Sequence, residues 1–227
     1  MSKKYKLPIL VLNLKNYQEI FAKNALKIAI EAQKISQEYS IDIVICPPNP
    51  LLYYMSNDLD ISVFAQHVDF AKIGSSTGAI VPELLNSIGV AGSLINHSEK
   101  RISFDQIENI VKKFKELDLL SLVCAQTVEE VKLISQLNPD LIAIEPPELI
   151  GSGRAVSKVN PDIISDSVNA AHSVNSNVNI LCGAGIMNDD DVKIALNLGS
   201  KGILIASGVI QSNNWDQKIT ELVSAFI

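Results

Sequence analysis

Glu145, His97 and Lys15 are the residues of this 227-residue chain best placed by type and position to move a proton, and each stands at or just beyond the end of a short apolar run. Glu145 follows Leu141-Ile142-Ala143-Ile144 directly. A carboxylate at the rim of an apolar layer is poorly hydrated, which raises its basicity and suits a general base. A solvated strand-end carboxylate is the alternative for an isolated Glu, but Pro146-Pro147 shift the balance. They restrict the backbone at what could be a hinge, and Gly151-Ser152-Gly153 supply small residues at the far end of a closing loop. His97, one of three histidines, ends a buried run just before polar residues that could open a short helical turn. Peptide N–H groups of such a turn, facing one ring nitrogen, oppose protonation and leave the other N–H free to polarise a carbonyl. The competing reading is a hydrogen-bonded structural histidine. His172, on an alanine-rich helix, reads as structural, and His67 as a supporting or interface residue. Lys15 lies two residues beyond Asn13, so in an extended segment both face one side, and Asn13 could orient the ammonium group. A point cation there compensates a phosphate or a developing enediolate.

Two further segments offer anion binding without side-chain charge. Gly183-Ala184-Gly185 and Ala206-Ser207-Gly208 are built of small residues that let backbone N–H groups approach a phosphate closely. One G-x-G is weak evidence. Two small-residue loops one strand apart are better.

The elements that must position these residues are visible as alternating solid and amphipathic stretches, the pattern of buried parallel strands with covering helices. Strands are expected at Ile9–Leu12, Ile41–Ile45, Ser62–Ala65, Gly92–Ile95, Leu120–Cys124, Leu141–Ile144, Asn179–Cys182 and Gly202–Ile205. Helices are expected at Phe21–Glu38, Leu51–Ser56, Pro82–Ile88, Phe104–Glu116, Val128–Leu137, Pro161–Ser173, Asp189–Leu196 and Trp215–Phe226. Ser103 to Gln106 has capping-box spacing, and Asn188 precedes an acidic first turn. A βα repeat of about 28 residues without linkers favours one closed (β/α)8 barrel over residues 1–227, with an open doubly wound sheet as the alternative. In such a barrel the working residues stand at the C-terminal strand ends, where Asn13, Lys15, His97 and Glu145 fall.

Composition narrows the partners. The chain is 47% hydrophobic and 19% charged with a net charge of −6, and it has no dense Lys/Arg stretch, which argues against nucleic acid. The apolar run after the basic N-terminus is too short for a secretory signal, and no window approaches the roughly 18 apolar residues of a membrane span. Cys46, Cys124 and Cys182 are far apart and odd in number, which suits buried thiols in a reducing compartment, so a cytoplasmic location is expected.

Taken in order, Asn13-Leu14-Lys15-Asn16-Tyr17, Phe64-Ala65-Gln66-His67, Gly74-Ser75-Ser76-Thr77-Gly78, Asn96-His97-Ser98-Glu99-Lys100-Arg101, Glu145 to Gly153, Leu181 to Ile186 and Gly202 to Gly208 strongly resemble the triosephosphate isomerase family, in its shorter archaeal-type branch. The resemblance implies the TIM-barrel fold and interconversion of dihydroxyacetone phosphate and glyceraldehyde 3-phosphate, in glycolysis and gluconeogenesis, without metal or other cofactor. It implies Lys15 as electrostatic catalyst with Asn13 beside it, His97 as electrophile, Glu145 as base and Glu99 as a supporting carboxylate. It further implies substrate contacts at Asn13, Leu14 and Lys15, phosphate contacts at Ile150, Gly151, Gly185, Ala206 and Ser207, and a lid from Pro146 to about Ala155. The loop Gly74–Gly78 resembles one that crosses a subunit interface with Thr77 near the neighbouring site, so a homodimer or homotetramer is expected. Lys100, Asn16 and Arg154-Ala155 depart from the family pattern and bear on lid and interface more than on the reaction. Two alternatives stand beside this reading: another phosphate-binding barrel, such as a pentose-phosphate epimerase or a small biosynthetic isomerase, and a non-catalytic metabolite-binding barrel.

Overall fold

A computed structural model describes residues 5–21, 23–147 and 160–227. Eight parallel strands close in sequence order: β1 (Ile9–Asn13), β2 (Asp42–Cys46), β3 (Ser62–Ala65), β4 (Gly92–Ile95), β5 (Leu120–Ala125), β6 (Leu141–Ile144), β7 (Asn179–Cys182) and β8 (Gly202–Ile205). The ring is sealed where β8 pairs with β1, Ile9 opposite Gly202 and Leu12 opposite Ile205. That pairing removes the open-sheet alternative.

Alternation along the strands sorts the core into two layers. Ile9 and Val11, Val44 and Cys46, Phe64, Leu94, Leu122 and Cys124, Leu141 and Ala143, Leu181 and Leu204 fill the barrel interior. Their neighbours Leu10, Leu12, Ile45, Ile95, Val123, Ile142, Ile144, Ile180 and Ile203 pack against the helices. A strand buried on both faces has no polar position to offer, which explains the solid apolar runs. Cys46 and Cys124 face inward and Cys182 outward, and all three are buried free thiols.

The covering helices are α1 (Asn24–Tyr39), α2 (Leu52–Asp58), α3 (Pro82–Ser87), α4 (Phe104–Glu116), α5 (Val128–Ser135), α6 (Asp162–Val174), α7 (Asp189–Asn197), the single turn α8 (Ser207–Ile210) and α9 (Trp215–Ser224). Capping chemistry sets several boundaries. Ser103 accepts from Gln106 N while Gln106 accepts from Ser103 N at 3.0 Å, and Asn188 and Asp191 form the same reciprocal pair at the head of α7. The first helix starts three residues later than expected, at Asn24, because a 3-10 turn over Gln18–Ile20 intervenes.

Closure demands close backbone approach at the β8–β1 seam. A Cβ at Gly202 would overlap the carbonyl of Ile9, and its φ of 153° is one that side chains rarely adopt. Gly202→Ala is therefore expected to lose about 3 kcal/mol of unfolding free energy in urea titrations. A loss below about 0.5 kcal/mol, the scatter of neutral surface changes, would show that the seam has room to spare.

Candidate active site

At the C-terminal end of the barrel a cavity of about 230 Å³ is lined by Asn13, Lys15, Tyr17, His97, Glu99, Glu145, the loop from Gly183 to Met187 and the segment from Leu204 to Gly208. Glu145 continues the inward parity of Leu141 and Ala143, so its carboxylate stands directly on the apolar interior, 3% exposed. Its backbone N–H donates to Ala125 O at 2.8 Å, which extends the β6 ladder to the site. One carboxylate oxygen, Oε2, has no hydrogen-bond partner among the described residues. Burial pushes the carboxyl from 4.5 up to about 7, offset in part by the Cys124 thiol beneath it and by Lys15. Gly183 lies against this side chain, where a Cβ would overlap Cγ of Glu145. Any larger residue there would displace the carboxylate.

His97 reaches the same cavity by a different route. Ile95 faces the helices, and unbroken extension would send residue 97 the same way. Asn96 breaks the alternation with a left-handed φ of 63°, a conformation that Asn tolerates better than most residues. Its carboxamide holds the turn, donating to Cys124 O at 3.0 Å and accepting from Ile102 N at 3.1 Å. The turn that follows is not helical, contrary to the expectation, because α4 starts only at Phe104. A single peptide group does the work instead: Glu99 N donates to His97 Nδ1 at 3.2 Å. With Nδ1 accepting, the proton of the neutral ring is on Nε2. Burial, with the Lys15 charge second, lowers the imidazole from 6.5 to about 4, so the ring is neutral near pH 7. Nε2 lies 3.6 Å from Glu145 Oε1, beyond hydrogen-bond length. Base and donor converge on one volume without spending themselves on each other.

Lys15 also arrives differently from the expectation of an extended Asn13–Lys15 segment. Its φ is 48°, and Asn13 Oδ1 accepts from its backbone N–H at 3.0 Å rather than from the ammonium group. Gln66 clamps the turn from β3, donating to Lys15 O at 3.1 Å and Cys46 O at 2.9 Å. The ammonium group pairs with Glu99 Oε1 at 2.8 Å. Leu14 is corrected as a lining residue: its side chain is buried between barrel and helices and its N–H donates to Cys46 O, so it does not reach the cavity. Gly185, Ala206 and Ser207 do line it. Ile150, Gly151 and most of the expected lid, including Arg154-Ala155, lie outside the described residues. Pro146 and Pro147 lie within them.

Sequence reasoning assigned no role to Cys124 or Asn96, although inward parity on β5 marks the first and a polar residue between a strand and His97 marks the second. Gln66 was visible as a polar strand end, but its two acceptors come from β1 and β2 and only folding brings them within reach. Among the described residues, no three His, Cys, Asp or Glu side chains gather as a metal ion requires. The geometry offers a poised carboxylate, a neutral N–H donor and one cation around a small cavity, the set needed to enolise a carbonyl compound.

The family model described as triosephosphate isomerase matches residues 8–225. The triosephosphate isomerase of Methanothermus fervidus is 44% identical over 96% of this chain and 98% of its own length. That of Cenarchaeum symbiosum is 44% identical over 96% and 97%, and that of Methanocaldococcus jannaschii 43% over 95% and 98%. These matches leave no place for the epimerase and non-catalytic alternatives, and the chain belongs to the triosephosphate isomerase family.

Proposed function

We infer that the chain interconverts dihydroxyacetone phosphate and D-glyceraldehyde 3-phosphate, with Glu145 as the base, and the observation that carries this reading is the convergence of its buried carboxylate with a neutral, Nε2-protonated His97 on one small cavity. Glu145 takes the proton from the carbon next to the carbonyl. The C–H electron pair forms the carbon–carbon double bond and the carbonyl pair moves to oxygen, where His97 Nε2–H and the Lys15 ammonium group stabilise the negative charge. The proton then returns to the adjacent carbon. No electron leaves the substrate, so the reaction requires neither a redox cofactor nor a metal. Glu99 fixes both partners, through its carboxylate on Lys15 and its N–H on His97. The phosphate is assigned to backbone donors around Gly185, Ala206 and Ser207, with Ile150-Gly151 of the lid completing it. The 1–227 span reads as one barrel domain, and buried free thiols together with a central metabolic reaction place it in the cytoplasm.

We further propose a homodimer, with a homotetramer as its doubled form. Beside the site a second cavity of about 590 Å³ is lined by Gln66, His67, Asp69, Gly78, Lys100 and Lys15 itself. The loop that would fill it from another copy carries Phe70 and Ile73, exposed by 49% and 72%. Lone apolar side chains of this size on a protruding loop fit an interface better than solvent. Asp69 braces that loop, accepting from Ile80 N at 2.9 Å and contacting His67 Nε2 at 3.0 Å.

Glu145→Gln is expected to lower kcat by about 10³-fold, the scale of general-base catalysis, with KM within a few-fold. A kcat within ten-fold of the native chain would remove Glu145 as base. The same variant separates charge from shape in stability. The raised carboxyl contributes stability below its unfolded value of 4.5, and that contribution is lost as pH rises through about 7. Glu145→Gln should therefore be more stable than the native chain at pH 8, by up to about 3 kcal/mol, with most of the gain gone at pH 5. Equal urea midpoints at pH 8 would contradict the desolvated carboxylate.

In the free enzyme kcat/KM should fall with a limb near pH 7 as Glu145 protonates, separable from the substrate phosphate, which titrates near pH 6 on its own. A profile flat from pH 8 to 6 would exclude this limb. For the interface, Ile73→Asp is expected to give a monomer by light scattering with kcat/KM reduced about 10²-fold, because residues displaced by about an ångström cost that much. A native chain that is monomeric and fully active would end the assembly proposal.

A further inference from the structure

The loop from Gly183 to Asn188 carries the backbone assigned above to the phosphate, and it is held from behind by side chains that take no part in the chemistry. We propose that Asp191 and Lys218 are positioning residues that together clamp the Met187 backbone and set the orientation of the phosphate-facing loop. This rests on the reading of that loop as the phosphate site.

Asp191 sits in the first turn of α7 and is 1% exposed. Its Oδ2 accepts from Asn188 N at 3.3 Å, the ordinary capping contact, and also from Met187 N at 2.9 Å, one residue further into the loop. Helix capping needs only the first of these. Lys218, on α9, approaches from the other side and donates to Met187 O at 2.9 Å while pairing with Glu221 at 2.8 Å. A lysine immobilised on a carbonyl 31 residues away gives up side-chain entropy that a solvated lysine keeps, so the contact has to be offset by what it fixes.

The peptide between Met187 and Asn188 is thus held at both ends, carbonyl by Lys218 and N–H by Asp191. The preceding peptide is held as well: its N–H is bound by Asp191, and its carbonyl, Ile186 O, lies against Gly208, where an added Cβ would come within 2.7 Å of it. With two successive peptide planes fixed, the N–H directions of Gly185 and Ile186 at the cavity wall have little freedom left. Preorganised donors are worth more to an anion than donors that must turn on binding, because no reorientation is needed when the ligand arrives. Gly208 also ties this loop to Ala206-Ser207, so one clamp orients both halves of the wall. Lys218 adds a positive charge on the outer side of the loop, in a chain whose net charge is −6.

The test compares Lys218→Met, Lys218→Arg and Asp191→Asn with the native chain, using inorganic phosphate and 2-phosphoglycolate as inhibitors well below the unfolding temperature. Lys218→Met and Asp191→Asn are expected to weaken both inhibitors and raise KM by about ten-fold, as for one lost charge-assisted hydrogen bond, with a smaller fall in kcat and a smaller loss for phosphate-free glyceraldehyde. Lys218→Arg should recover most of the inhibitor affinity. Native inhibition constants in Lys218→Met, or losses equal for phosphate-bearing and phosphate-free substrates, overturn the clamp. If Asp191→Asn does not fold, Lys218→Met decides alone. Titrating the 15N-labelled native chain with inorganic phosphate separates the two layers of inference. Unshifted Gly185 and Ile186 amides overturn the phosphate reading and the clamp with it, whereas shifted amides with unaltered affinity in Lys218→Met overturn the clamp alone.

Discussion

Removal of the Glu145 carboxylate from water is the constraint on which the rest of the site depends. Leu141 and Ala143 below it and the closed ring around it leave no solvent path to the carboxylate from the barrel interior, and the carboxyl rises to about 7 as a result. A base of that strength is half ionised near neutral pH and strong enough to take a proton from carbon. Full burial without compensation would keep it protonated. The Cys124 thiol, Lys15 and Arg101 each draw the value down, and Arg101 is itself held by Glu130 at the neighbouring strand end. Gly183 is the steric counterpart of this balance, since only a residue without a side chain lets β7 pass so near the carboxylate.

Burial acts on His97 with the opposite sign. A buried imidazole loses its charge, whereas a buried carboxyl gains a proton, so one dry cavity yields two neutral-leaning groups from residues of opposite acid–base character. Their contributions to stability oppose one another with pH. That of Glu145 is lost as pH rises through about 7, and that of His97 is lost as pH falls from 6.5 towards about 4. At pH 8 Glu145 is ionised and His97 neutral, so Lys15 is the cation of the constellation and Glu99 holds it in place. A second anionic ligand can enter only where backbone dipoles receive it, and the loops after β7 and β8 are built of residues small enough to expose them.

Much of this was legible in order of appearance. Short apolar runs cannot be amphipathic surface strands, so their number and spacing pointed to a doubly covered parallel sheet, and the strand bounds differ from those expected by at most one residue at either end. The capping residues Ser103 and Asn188 marked helix starts because capping is a local interaction. Helix ends were less legible: Val128–Leu137 ends at Ser135 and Trp215–Phe226 at Ser224, since apolar residues continue past the last helical turn to pack on the core.

By itself the sequence determined what depends on neighbours along the chain: the alternation of strands and helices, the caps, the parity that sends Glu145 inward, and the small-residue loops. Tertiary structure alone decided whether the sheet closes, because the β8–β1 seam joins residues 193 positions apart in the register Ile9 to Gly202. It decided how His97 and Lys15 reach the cavity, through left-handed turns at Asn96 and Lys15 whose stabilising partners, Cys124 O for the first and Gln66 for the second, are remote in sequence. It also decided the acid–base character of the site. The pKa of Glu145 or His97 is a property of how much water and which charges surround it, and those surroundings are assembled from eight separate strand ends.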